Sequence, residues 1–119
     1  MSNEQNPTGA ELAEVPPEDW AGWCENATSE HNGREVLLRQ ADAALGEVQL
    51  AEGQRLVAFE YDELGNTTAL TIKCGSTAVP VSYVVAEPRS LGEHRNANGV
   101  LDEVRILDAT GRRTSVNLA

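Results

Sequence analysis

Basic residues are scarce in this chain: nine lysines and arginines stand against nineteen aspartates and glutamates, and Lys73 is the only lysine. The resulting formal net charge of -10 repels phosphate backbones and anionic bilayers, which excludes nucleic acid and membrane as expected partners. Long apolar runs are missing too. No window approaches the roughly 20 apolar residues of a membrane span, and the residues after Met1 are polar rather than basic and then apolar, so no secretory signal is expected and the setting is read as cytoplasmic. Cysteine occurs twice, at Cys24 and Cys74, too far apart for a redox pair or a zinc knuckle. In a reducing compartment both read as small buried apolar groups. Histidine also occurs twice, and neither His31 nor His94 has companions at ligand spacing, so no metal is assigned. No glycine-rich phosphate cradle opens a helix, no G-x-S-x-G elbow appears and no triad context is recognisable. The sequence therefore assigns no cofactor and no catalytic residue.

What is abundant is the vocabulary of β-structure. Two runs of branched residues within Val100 to Leu118 flank Asp108-Ala109-Thr110-Gly111, the composition of a hairpin with a glycine-bearing turn. Strands are expected over 35–39, 47–50, 55–61, 67–74, 77–86, 101–108 and 113–118. Alternation places Val57, Phe59 and Tyr61 on one face of their strand, Thr68, Leu70, Ile72 and Cys74 on one face of the next, and Val79, Val81, Tyr83 and Val85 on one face of the fifth. The links at 63–66 and 75–76 are short enough to demand antiparallel neighbours. Pro80 cannot donate to a ladder and so belongs at a sheet edge or a bulge. The stretch Asp42 to Gly46 fits a helical turn as well as a loose connection and is read as coil.

One helix precedes the strands. Pro17 suits a first turn, Glu18 and Asp19 suit the positive end of the helix dipole, and His31-Asn32-Gly33 suits the end. Trp20, Trp23, Cys24 and Ala27 recur at helical spacing, so the two indoles are expected to anchor the core, with Trp23 buried against residues such as Val57, Phe59, Leu70 or Ile72. Residues 1–14 are polar and acidic and are expected to form a disordered arm, leaving residues 15–119 as a single domain.

Residues 87–99 read as one long irregular loop, and loops of that length are functional or mobile. Arg89, His94 and Arg95 give it a local basic character, and a guanidinium can hold a carboxylate or phosphate through two parallel hydrogen bonds. These three are the candidate ligand- or partner-binding residues. The opposing reading is a solvated loop, since Glu87 and Glu93 interleave with them.

Pro17-Glu18-Asp19-Trp20 at a helix start and Asp108-Ala109-Thr110-Gly111-Arg112-Arg113-Thr114 at a terminal hairpin give the patterns P-x-x-W and D-x-x-G-x-x-T. With them the chain after Leu12 resembles a family of small bacterial proteins that carries no assigned activity. The resemblance implies the architecture and supplies no site residues.

The expectation is therefore an α+β domain, one N-terminal amphipathic helix packed on a bent antiparallel sheet of six to seven strands, with a small partly open barrel as one form of that sheet. For function the sequence favours a non-enzymatic protein-interaction or regulatory module, monomeric or weakly dimeric, whose sheet edges accept another protein. The competing expectation is a small-ligand-binding or enzymatic β-barrel that uses the 87–99 loop, with a pocket lined by Tyr61, Tyr83 and Arg89.

Overall fold

The computed structural model describes residues 12–44, 46–76 and 78–119. One helix and eight strands succeed one another as β1 (Ala13–Glu14), α1 (Trp20–His31), β2 (Glu35–Asp42), β3 (Gly46–Leu64), β4 (Thr67–Gly75), β5 (Pro80–Ala86), β6 (Pro88–Arg95), β7 (Leu101–Asp108) and β8 (Arg113–Leu118). The strands form one antiparallel sheet in the order β1-β6-β7-β8-β2-β3-β4-β5. It is open at β1 and at β5, so it is a curved sheet and not a closed barrel. Among the described residues, no helix is long and apolar enough to cross a membrane.

The strand set differs from the expected six to seven in three places, one of which removes a strand and two of which add one. The runs expected separately at 47–50 and 55–61 are one 19-residue strand, β3. The expected loop over 87–99 is strand β6 through Arg95, and only the turn before Leu101 stays irregular. Its composition lacks β-branched residues, but β7 on one side and β1 on the other supply both ladders, and tertiary pairing overrides weak propensity. Finally, Ala13 and Glu14, assigned by sequence to the disordered arm, pair with Glu93 and Gly92, and Val15 donates its N–H to the Leu91 carbonyl at 2.8 Å. Residues 1–11 of that arm lie outside the described residues. The stretch read as coil after β2 is a tight hairpin: the Asp42 carboxylate accepts the Ala44 N–H at 2.9 Å, and β3 begins at Gly46.

Bulges bend β3. Its first half pairs with β2, where the register slips between Val36 and Leu37 at Gly53, whose φ of +73° suits glycine. Its second half pairs with β4, where Val57 is the extra residue between Leu56 and Ala58. That slip puts Leu56, not Val57, on the same inward face as Phe59, and Leu56 is fully buried. The long strand thus belongs to both halves of the sheet, which curl over a single core. Val36, Leu38, Leu91, Val104, Ile106 and Val116 come from one half, and Leu56, Phe59, Leu70, Ile72, Cys74 and Val85 from the other.

Helix α1 fills the open side of this curl. Its N-terminus is preceded by a 3-10 turn over Pro17–Asp19, and it ends where Gly33 takes a φ of +91°. The buried stripe is Trp20, Cys24, Ala27 and His31, rotated from the expected one so that Trp23 lies at its margin, half-buried. Trp20 meets Tyr61 edge-on at 5.5 Å and donates its indole N–H to the Val15 carbonyl at 2.8 Å. Trp23 does reach Phe59, at 5.2 Å, but its N–H points to the Glu93 carboxylate at 2.9 Å. Cys24 and Cys74 are both free and buried, and burial, with Asp62 and Glu60 nearby, pushes the Cys24 thiol up to about 12.

The different burial of the two indoles sets their worth. Trp20→Ala is expected to destabilise the domain by about 3 to 5 kcal/mol, in the range for truncating a buried aromatic. Trp23→Ala should cost roughly 1 to 2 kcal/mol, since Trp23 lies at the margin of the core and is only partly buried. Urea unfolding followed by circular dichroism measures both, and equal losses would contradict the placement of the stripe.

Candidate interaction edge

The three basic residues singled out from sequence do not converge. Arg89 is exposed and sits at a bulge near the start of β6, where the register to β7 slips between Pro88 and Ser90. His94 and Arg95 sit at the other end of the strand, about 17 Å away at the usual rise per residue. His94 Nδ1 lies 2.5 Å from the Asp102 carboxylate of β7. Arg95 donates to the Gly99 carbonyl at 3.1 Å and to Glu93 at 3.2 Å. Both are spent on the β6–β7 hairpin.

Tyr61 packs on Trp20, Tyr83 donates its hydroxyl to the Leu50 carbonyl at 3.4 Å, and Arg89 is exposed near the start of β6. The concave side of the sheet is filled by its own side chains and by α1. A hollow of about 320 Å³ lies on the opposite face, lined by Leu12, Glu14, Ser90, Leu91, Gly92, Arg105, Leu107 and Arg113. It includes three residues of the 87–99 segment, Ser90, Leu91 and Gly92. Arg105 donates to Glu103 at 2.7 Å, and its buried Nε–H has no hydrogen-bond partner. Among the described residues, no group of three or more His, Cys, Asp or Glu side chains is placed to hold a metal ion.

The most distinctive surface is the free edge of β5, and its geometry follows from one hydrogen bond. The Glu87 N–H donates to the Thr68 carbonyl at 2.9 Å, so this is a hydrogen-bonded pair of the β4–β5 ladder. The register continues without a slip from Ala69 opposite Ala86 to Gly75 opposite Pro80. Bonded residues therefore alternate, and Val81, Tyr83 and Val85 turn their main-chain groups toward β4. Pro80, Ser82, Val84 and Ala86 turn theirs outward. Pro80 occupies one of the outward positions, where its missing N–H leaves the ladder intact, as expected for an edge proline.

Beyond Pro80 at its start, this edge lacks the charged side chains that sheet proteins usually place on such strands. Residues 74–86 are the longest stretch of the chain without a charged side chain. Val79, Val81 and Val84 are 75%, 50% and 60% exposed. The opposite edge, β1, is only two residues long, and one of them is the charged Glu14. The exit of β5 is held in place by Glu87, which adopts a φ of +52°, unusual for a residue other than glycine, and whose carbonyl accepts the Ala109 N–H at 3.0 Å. Ala109 belongs to the turn between β7 and β8, so this turn anchors the edge strand.

That turn is organised by one carboxylate oxygen. Asp108 Oδ1 accepts the Thr110 hydroxyl at 2.7 Å, the Thr110 N–H at 2.9 Å and the Arg112 N–H at 3.0 Å. Burial pushes its pKa up, but these hydrogen bonds and the Arg112 charge outweigh it and hold the carboxyl below its ordinary 3.8. Compared with known proteins, the chain matches no protein family, no curated sequence and no solved structure.

A depressed carboxylate stabilises the folded state fully above the unfolded value and loses that contribution as pH falls through the lower native value. Asp108→Asn should therefore lower the melting point at pH 7, and the gap to the unsubstituted protein should narrow below the ordinary value of 3.8. A thermal melt series from pH 7 to pH 2 reads this directly; a gap that stays constant into acid would mean that the charge of Asp108 contributes nothing.

Proposed function

We propose that the protein is a non-enzymatic interaction module that binds by strand addition, its β5 edge accepting an extended segment of another protein. The single observation behind this reading is the outward row of Ser82, Val84 and Ala86 main-chain groups on an exposed, uncharged, valine-rich edge. Main-chain hydrogen bonds give such binding its strength, and alternate side chains give it selectivity. Charge selects the segment. A strand rich in β-branched residues and free of acidic ones meets no like charge on 74–86, whereas an acidic strand enters the field of a chain of net charge -10.

The test uses the position of one N–H. Ser82→Pro removes an outward donor and no donor of the β4 ladder, so the fold should survive and strand addition should fail. Strands selected from a displayed peptide library are expected to be uncharged and β-branched, and to lose at least tenfold in affinity for Ser82→Pro while binding Arg89→Ala unchanged. Equal binding to both variants would remove β5 as the site.

A second reading rests on the hollow at Arg105 and Arg113. Leu12 and Leu107 give it apolar walls beside the two guanidinium groups, and Ser90 adds a hydroxyl, which suits a small carboxylate with an apolar body. Benzoate titrated into isotopically labelled protein should then shift the amides of Ser90, Gly92 and Arg105, and Arg113→Ala should abolish the shifts; silent amides at millimolar benzoate would dismiss this reading.

A further inference from the structure

We infer that the segment the β5 edge accepts is β5 of a second copy of this chain, paired about a two-fold axis. The inference rests on the strand-addition reading and narrows it to one occupant. Three observations single out that occupant: the position of the outward hydrogen-bonding groups, the two ends of the strand at Pro80 and Glu87, and the distribution of charge.

In an antiparallel pairing centred on Val84, Ser82 of one copy stands opposite Ala86 of the other, and Val84 stands opposite its own counterpart. All three are outward positions, so each N–H meets a carbonyl and each outward donor of the strand is satisfied. The next outward position on one side is Pro80, which has no N–H to offer, and on the other the strand has already ended: Glu87, with its φ of +52°, turns the chain out, and Pro88 is buried and pairs with Asp108 of β7. The ladder thus ends where the donors run out. A foreign strand has no reason to match both ends; the same strand, inverted, does so by symmetry.

Charge argues for the same occupant. Two copies each carrying -10 repel over most of their surfaces, and an approach is cheapest where neither presents a charge. That place is the stretch 74–86. The pairing also covers Val84, 60% exposed in the single chain, with the same residue of the other copy, and extends the sheet across the axis. A contact of one short strand per copy is at the low end of interface sizes, so the dimer is expected to be reversible, dissociating on the order of tens of micromolar.

Sedimentation equilibrium across about 5 to 500 µM, at 150 mM salt, tests the inference with the full chain. The mass is expected to rise from one copy to two over that range, and to remain at one copy for Ser82→Pro and for Val84→Lys, each melting within a few degrees of the unsubstituted protein. Hydrogen exchange gives a readout that needs no variant: the amides of Ser82, Val84 and Ala86 should gain at least tenfold protection on concentration, while those of Val81, Tyr83 and Val85 are protected throughout. A doubling of mass without that protection, or one that both variants share, places association elsewhere and overturns the inference. A chain that stays single at 500 µM yet still binds library-selected strands at β5 overturns self-pairing and leaves strand addition standing. A chain that does neither ends both.

Discussion

The fold depends on what happens to β3 where β2 leaves it. β2 pairs only as far as Arg55, yet β3 continues to Leu64, and from Leu56 onward one side of its backbone would be an unpaired edge inside the molecule. Helix α1 resolves this. The Thr28 hydroxyl accepts the Phe59 N–H at 2.8 Å and donates to the Phe59 carbonyl at 3.1 Å, standing in for a neighbouring strand. The link from helix to β2 does the same one step earlier: Gly33 donates to the Leu56 carbonyl at 2.7 Å, and Leu56 donates to the Arg34 carbonyl at 2.8 Å. Arg34 then ties this junction to the far side of the sheet through the carbonyls of Leu101, Leu118 and Ala119. Because the helix occupies the edge, the two halves of the sheet separate there and curl, and the aromatic stripe of α1 finds a concave surface to fill.

That solution leaves the interior packed with side chains. The concave face is occupied by Trp20, Cys24 and Ala27 of the helix against Phe59, Leu70 and Ile72 of the sheet. A closed barrel holding a ligand needs that space empty. The chain instead presents its chemistry outside, in a hollow with two arginines and along an unprotected edge. Of the two, the edge is the feature with no structural use: Arg105 already serves Glu103, whereas exposed valines at 79, 81 and 84 do nothing for the single chain.

The elements legible in the sequence were those whose own residues decide them. The helix, with Pro17 before it and Gly33 after, and the hairpin around Asp108 to Gly111 carry their turn and cap residues locally, and the structure has both where the pattern puts them. Pro80 marked an edge because the reason is a missing N–H and not context. What could not be read depends on partners distant in sequence. Residues 88–95 are a strand because β1 and β7 enclose them. Leu56 replaces Val57 in the core because of a bulge, which no alternation reveals in advance. Arg89, His94 and Arg95 form a cluster only in a loop; extended as β6, the segment carries Arg89 away from the other two. The signal that did point to the edge was present but negative, the absence of charge from 74 to 86 around an edge proline.

The corner at Glu87 fixes the end of the β5 edge. Glu87 holds a backbone conformation that favours glycine, and the structure tolerates it because two hydrogen bonds, to Thr68 and from Ala109, fix the residue between β4 and the last turn. The corner sets where β5 stops and therefore how many outward groups the edge offers. A looser corner would let the strand run on toward Pro88 or fray back from Ala86, and either would change the row of donors. The Asp108 turn, some twenty residues later in the chain, is thus part of the machinery that defines the edge: it presents the Ala109 N–H to Glu87, and through it the uncharged strand keeps a fixed length and register.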